Sequence, residues 1–188
     1  MGDDGTMSWL NTLFILVAAF LAVFWEAAFQ GIRHMLGIQV DLLSSLMVYA
    51  GLRGSLASVS LVAAFGGLLF DSLSANPLGI SVLPLFATGF VIHLWRDLIL
   101  RDQVFAQTIL GLAAGAAVPV LELLLLLTMG RSPQLGWGTV WQLVVMGLGG
   151  ALATPIFFLA FEWLQKGLVH TPVFESSFRP DREIRRGR

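Results

Sequence analysis

Two apolar runs decide what this chain can become. Val104–Met129 and Trp137–Gln165 are each long enough to cross a hydrocarbon core of about 30 Å, which takes roughly 20 helical residues. In that solvent every backbone N–H and C=O must be satisfied within the segment, so such runs become helices. Trp9–Ile32 is of the same kind, while Leu42–Leu52, Ser55–Phe70 and Leu78–Trp95 are shorter. The charge content agrees: only 12% of the 188 residues are charged and 56% are hydrophobic, too few polar groups to cover a water-facing surface. The expected fold is an all-α polytopic membrane protein with six transmembrane segments, the second and third short.

Arg53-Gly54 separates those two short segments. One continuous helix from Asp41 to Phe70 would hold Arg53 near mid-bilayer, at about 2.5–3.5 kcal/mol on insertion scales. Gly51 and Gly54 flank the arginine, so a turn over Gly51–Ser55 is the cheaper solution. Six segments then place Arg53, Arg96, Arg101, Lys166 and the five tail arginines on one side, nine in all, against Arg33 and Arg131 on the other. The positive-inside rule assigns the side of the nine, with both termini, to the cytoplasm. A five-helix arrangement satisfies the charge rule nearly as well; the buried arginine separates the two. Residues 1–169 form the helical membrane domain and 170–188 a cytoplasmic Arg-rich tail. That tail either attracts anionic lipid, at about 1 kcal/mol per basic residue near the surface, or only obeys the orientation rule. The first run follows Asp3 and Asp4 instead of a positive flank and exceeds a signal-peptide core, so it is expected to stay as a membrane helix.

Several chemistries drop out. The chain has no Cys, hence no disulfide, thiolate metal site or thiol nucleophile. His34, His93 and His170 are scattered without metal-ligand spacing, and a net charge of −1 gives no basic field for nucleic acid. Serines and aspartates form no Ser-His or paired-Asp motif at helical depth, which makes an intramembrane enzyme the weakest class. No cofactor or metal is expected.

Ionisable groups within spans need an explanation. Glu26, one turn before Gln30, suggests a polar stripe at the outer end of the first helix. Glu122 sits deep in the fifth with no opposite charge near in sequence; it faces a cavity or a partner helix, or is structural. Glu162 is four residues from Lys166 and reads as an interfacial ion pair. His93, before Trp95-Arg96, reads as interfacial rather than as a proton relay. Trp9, Trp95, Trp137 and Trp163 fall near span ends, where aromatic belts sit.

Small residues mark close helix approach. Ala18 and Ala22 have small-xxx-small spacing, and Gly147, Gly149, Gly150, Ala151 and Ala153 cluster before Pro155. Such faces serve contacts within the chain more often than between chains. Pro119 and Pro155 each remove a backbone hydrogen bond and predict kinks.

The most specific local pattern is G-G-L-L-F-D-S-L-S-A-N-P-L-G, from Gly66 to Gly79. An apolar helix ends at Asp71, a polar turn follows, and Asn76-Pro77 signals the next helix start. Asp71 is placed to accept backbone N–H groups from that start.

With this motif the chain resembles the rod-shape-determining MreD family. The stretch Val40-Asp41-Leu42-Leu43, followed by Tyr49-Ala50-Gly51-Leu52-Arg53-Gly54, is similar to that family's P-D-L-L-x-x-x-V-x-Y-x-A-L-R-x-G region, with Val40 where proline is common. Ala151-Leu152-Ala153-Thr154-Pro155, with Lys166 beyond, resembles its ending. The resemblance spans Val40 to Lys166. It implies a non-enzymatic bacterial inner-membrane protein of the cell-elongation machinery, bound to the bitopic protein MreC. A class B penicillin-binding transpeptidase, RodA and, indirectly, actin-like MreB are the further implied partners. It also implies a fold like the substrate-binding component of energy-coupling-factor transporters.

On that basis the first expectation is a scaffold regulating peptidoglycan synthesis and cell shape. Ala18, Ala22, Asp71, Asn76, Pro77 and Gly79 are its candidate partner contacts; Glu26, Gln30 and Glu122 are polar groups facing a cavity or partner. The alternative is a vitamin-binding transporter component. That would require polar groups converging from several helices, and Glu26, Gln30, Asp71, Asn76 and Glu122 are the ones available.

Overall fold

The computed structural model describes residues 3–28, 41–74, 77–99, 103–130 and 136–168, with side chains from 12 in the first helix and to 164 in the last. Six helices account for most of them: α1 Asp3–Ala28, α2 Leu42–Arg53, α3 Leu56–Leu73, α4 Val82–Trp95, α5 Val104–Thr128 and α6 Trp137–Leu168. The described residues contain no strand. By length and composition α3, α5 and α6 can cross a membrane, while α2 and α4 are shorter apolar helices. Gln30, Asn76, Arg33, Arg131 and the tail 170–188 lie outside the described residues.

The break at Arg53 falls within the expected turn. Gly54 ends α2 with its N–H on the Ala50 carbonyl at 2.8 Å, and Ser55 caps α3 by accepting the Ser58 N–H. Arg53 thereby reaches the end of the bundle, where it meets Glu162.

One helix organises the rest. Every residue from Leu43 to Leu52 is buried, so α2 is apolar all round because it is surrounded all round. Packed against it are α1, α3, α4, α5 and α6, which follow one another as α1–α3–α4–α5–α6 around its axis. At 12 residues α2 is only about 18 Å long, shorter than the apolar core of a bilayer. Its end groups are buried at Asp41 and part-buried elsewhere, and side chains satisfy them. At its start, Asp41 Oδ1 accepts from Leu43 N–H at 2.9 Å and Ser44 N–H at 3.2 Å, and Glu26 of α1 accepts from Leu42 N–H. At its end, His93 Nδ1 bonds the Gly51 carbonyl at 3.2 Å and the Arg96 guanidinium the Gly54 carbonyl at 3.4 Å. Acids at the N-terminus and bases at the C-terminus also match the helix dipole.

The closest pairing is α5 with α6. A Cβ on Gly111 would run into the Gly150 carbonyl, and one on Gly150 into the Gly111 carbonyl, so the backbones touch where only glycine fits. Both helices run on through Pro119 and Pro155. On the other side of α6, Phe161 stacks on Tyr49 with ring centroids 4.2 Å apart, and Phe158 meets the same ring edge-on at 5.0 Å. Trp95, Trp137 and Trp163 are exposed near helix ends, as an interfacial belt requires.

Candidate functional site

The ring around α2 is incomplete. No extensive packing joins α1 to α6, and the space between them is an open groove of about 520 Å³. Its walls are Phe14 to Trp25 of α1 and Ala153 to Leu164 of α6, and Leu42 of α2 borders it. Eleven residue steps make it roughly 16 Å long. Every lining side chain is apolar or aromatic, and the walls are lowered by alanines: Ala18 and Ala22 on α1, Ala153 and Ala160 on α6. The small-residue face of the first helix therefore borders this open groove. Bulky Leu21, Trp25 and Phe157 stand beside these steps, so the surface has the relief of a helix-packing face.

The Gly66–Gly79 motif builds a clamp. Asp71, 1% exposed, accepts from Gly79 N–H at 2.7 Å and Ser81 N–H at 3.2 Å through Oδ2, and from Ser81 Oγ at 2.6 Å through Oδ1. The expected N–H contacts are present, but the helix begins later than Pro77. Pro77 to Ser81 form a turn, with Gly79 at φ +89°, and α4 starts at Val82. The clamp needs a chain reversal between Asp71 and its donors, which a helix from Pro77 would not provide. Asp71 thus faces inward, while Leu68, Leu73 and Leu78 of the motif are exposed.

Glu122 lies beside this clamp. Its carboxyl reaches the Ser81 side chain and stands within electrostatic range of Asp41 and Asp71. Glu26, Asp41, Asp71 and Glu122 therefore gather at one end of the bundle, and Arg53, Arg96 and Glu162 at the other. Burial pushes the Asp41 carboxyl above its ordinary range, opposed by its bonds from Ser44 and Leu43. Among the described residues no group of three His, Asp or Glu side chains could hold a metal.

Glu162 was expected to pair with Lys166. Its described partner is Arg53, at 3.8 Å across the α2–α6 contact; the Lys166 side chain lies outside the described residues. Sequence reading passed over Asp41, although an Asp immediately before Leu-Leu-Ser-Ser is an N-cap signal. It also passed over Gly111-x-x-x-Gly115, whose spacing marks the α5 side of the tightest crossing. Tyr49 gave no such signal, because its role depends on Phe158 and Phe161 more than a hundred residues away.

The chain matches no protein-family model, no curated protein and no solved structure.

Proposed function

We propose that this protein is a non-enzymatic scaffold of the MreD type in the bacterial inner membrane, with its C-terminus cytoplasmic. It binds a bitopic MreC-like partner and, through it, helps to organise a class B transpeptidase, RodA and MreB during wall elongation. The observation that carries this reading is the open α1–α6 groove: an apolar, alanine-stepped vacancy in a helical ring suits capture of a transmembrane helix. The D-x-L-S-x-x-P-L-G motif and the Tyr49–Gly54 stretch supply the family resemblance. Co-expression with an MreC-type protein, followed by affinity purification in mild detergent, tests it. A stoichiometric complex supports the scaffold; recovery of the protein alone rejects it.

A second reading, a small-molecule component of a vitamin transporter, has one observation in its favour: Asp41, Asp71 and Glu122 converge from different helices at one end. Asp41 and Asp71 are occupied with local N–H groups, which weakens it. Saturable thermal stabilisation by a vitamin would favour this reading over the scaffold.

A further inference from the structure

The end of the bundle away from the Asp71 clamp carries two arginines on one turn. Arg53 closes α2 and Arg96 follows α4. Both reach the α2–α3 turn, because Arg96 Nη1 lies 3.4 Å from the carbonyl of Gly54, the residue after Arg53. His93 stands beside them, its Nδ1 3.2 Å from the Gly51 carbonyl and 3.5 Å from the same Nη1.

Two carboxylates face the pair and hold it loosely. Glu162 is 3.8 Å from Arg53 and Asp97 is 3.7 Å from Arg96, both longer than a hydrogen bond. At 42% and 80% exposure these side chains are more open than the arginines, at 35% and 36%. Ion pairs so exposed contribute little. A phosphate offers a guanidinium parallel charge-assisted bonds of about 2.7–2.9 Å, roughly twice as strong as neutral ones. It therefore competes well against carboxylates at these distances.

Depth identifies the source of the phosphate. Trp95 adjoins Arg96 and Trp163 adjoins Glu162, and both indoles are exposed. Exposed tryptophans at helix ends of a membrane bundle mark the headgroup layer, so the guanidiniums lie at the level of the lipid phosphates. Basic pockets between transmembrane helices are a recurrent site for anionic headgroups.

We propose that Arg53 and Arg96 together bind the headgroup phosphate of one anionic phospholipid at the α2–α3 turn, displacing Glu162 and Asp97. The site requires only that the bundle sits in a bilayer, so it stands or falls independently of the MreC-type partner.

The full chain, delipidated in detergent, is titrated with phosphatidylglycerol or with phosphatidylcholine of equal chain length, and bound lipid is counted by native mass spectrometry. One phosphatidylglycerol is expected to bind at least about fivefold tighter than phosphatidylcholine, as two basic groups near a membrane surface require. Arg53→Gln combined with Arg96→Gln should bring the two lipids level. Changing the five tail arginines, Arg179, Arg182, Arg185, Arg186 and Arg188, to Gln should leave the preference intact. Glu162→Gln removes a competitor and should raise phosphatidylglycerol affinity about twofold. This variant keeps both arginines, so it decides the matter if the double variant fails to fold: unchanged or weaker affinity overturns the proposal. Equal affinity of the wild type for the two lipids overturns it too, as does a preference that survives the double substitution or vanishes with the tail arginines. Displacement of phosphatidylglycerol by millimolar inorganic phosphate would reassign the site to a soluble anion and overturn the lipid assignment.

Discussion

Glu26 of α1 accepts the backbone N–H of Leu42, the first residue of α2, next to the Asp41 cap on Leu43 and Ser44. The contact joins the groove wall to the central helix, so groove geometry and α2 capping are one structural unit. Glu26→Leu should remove the acceptor and leave a part-buried N–H unpaired, a loss of about 1–3 kcal/mol. Glu26→Gln keeps an acceptor and should lose less. Thermal unfolding in detergent, followed by the fluorescence of the tryptophans, ranks the two; equal loss would show that the contact matters through charge and not through capping.

Asp71 receives Gly79 N–H, Ser81 N–H and Ser81 Oγ. Asp71→Ala abandons all three in a buried site and should cost about 3 kcal/mol or more, and Ser81→Ala, which removes one, about 1 kcal/mol. Limited proteolysis of the Pro77–Ser81 turn should follow the same order. Wild-type resistance in Asp71→Ala would mean the turn is held by packing alone.

At the α5–α6 crossing, Gly150→Leu should prevent close approach because its Cβ meets the Gly111 carbonyl. Gly138, on the same helix, has open space around its Cβ position, so Gly138→Ala should be neutral or stabilising by up to about 1 kcal/mol. Monodisperse yield and melting temperature of the two variants give the comparison. Similar behaviour would contradict a glycine-dependent crossing.

Tyr49 fixes α2 to α6 through Phe158 and Phe161. Truncation to Ala in this buried cluster should cost about 3–5 kcal/mol, the range for large aromatic side chains. The same unfolding measurement checks it; a loss below about 1 kcal/mol would mean the groove wall stands without the cluster.

Much of this architecture was legible in the chain. Uninterrupted apolar runs locate helices because the bilayer permits little else, and Arg53 between two glycines locates the break between α2 and α3. Asp71 as an acceptor followed from its place before a turn. What could not be read was arrangement. Nothing local in Leu42–Leu52 says that this short run is the axis of the bundle, since burial on every side is a property of five other helices. Ala18 and Ala22 announced close approach but not to what: the same spacing serves an internal contact or a vacancy. Glu162 and Lys166 match a helix-neighbour rule that the described residues leave open, while the contact with Arg53, distant in sequence, could not be read from the chain.

The most direct measurement fills the groove from within. Ala160 is an exposed wall residue, so Ala160→Trp should occupy the vacancy while the fold remains intact, as an unchanged melting temperature would verify. The scaffold reading predicts that wild-type protein and Leu124→Trp each retain an MreC-type partner on co-purification, while Ala160→Trp retains at least tenfold less, about 1.4 kcal/mol of binding. Full retention by a folded Ala160→Trp protein would contradict docking in the groove.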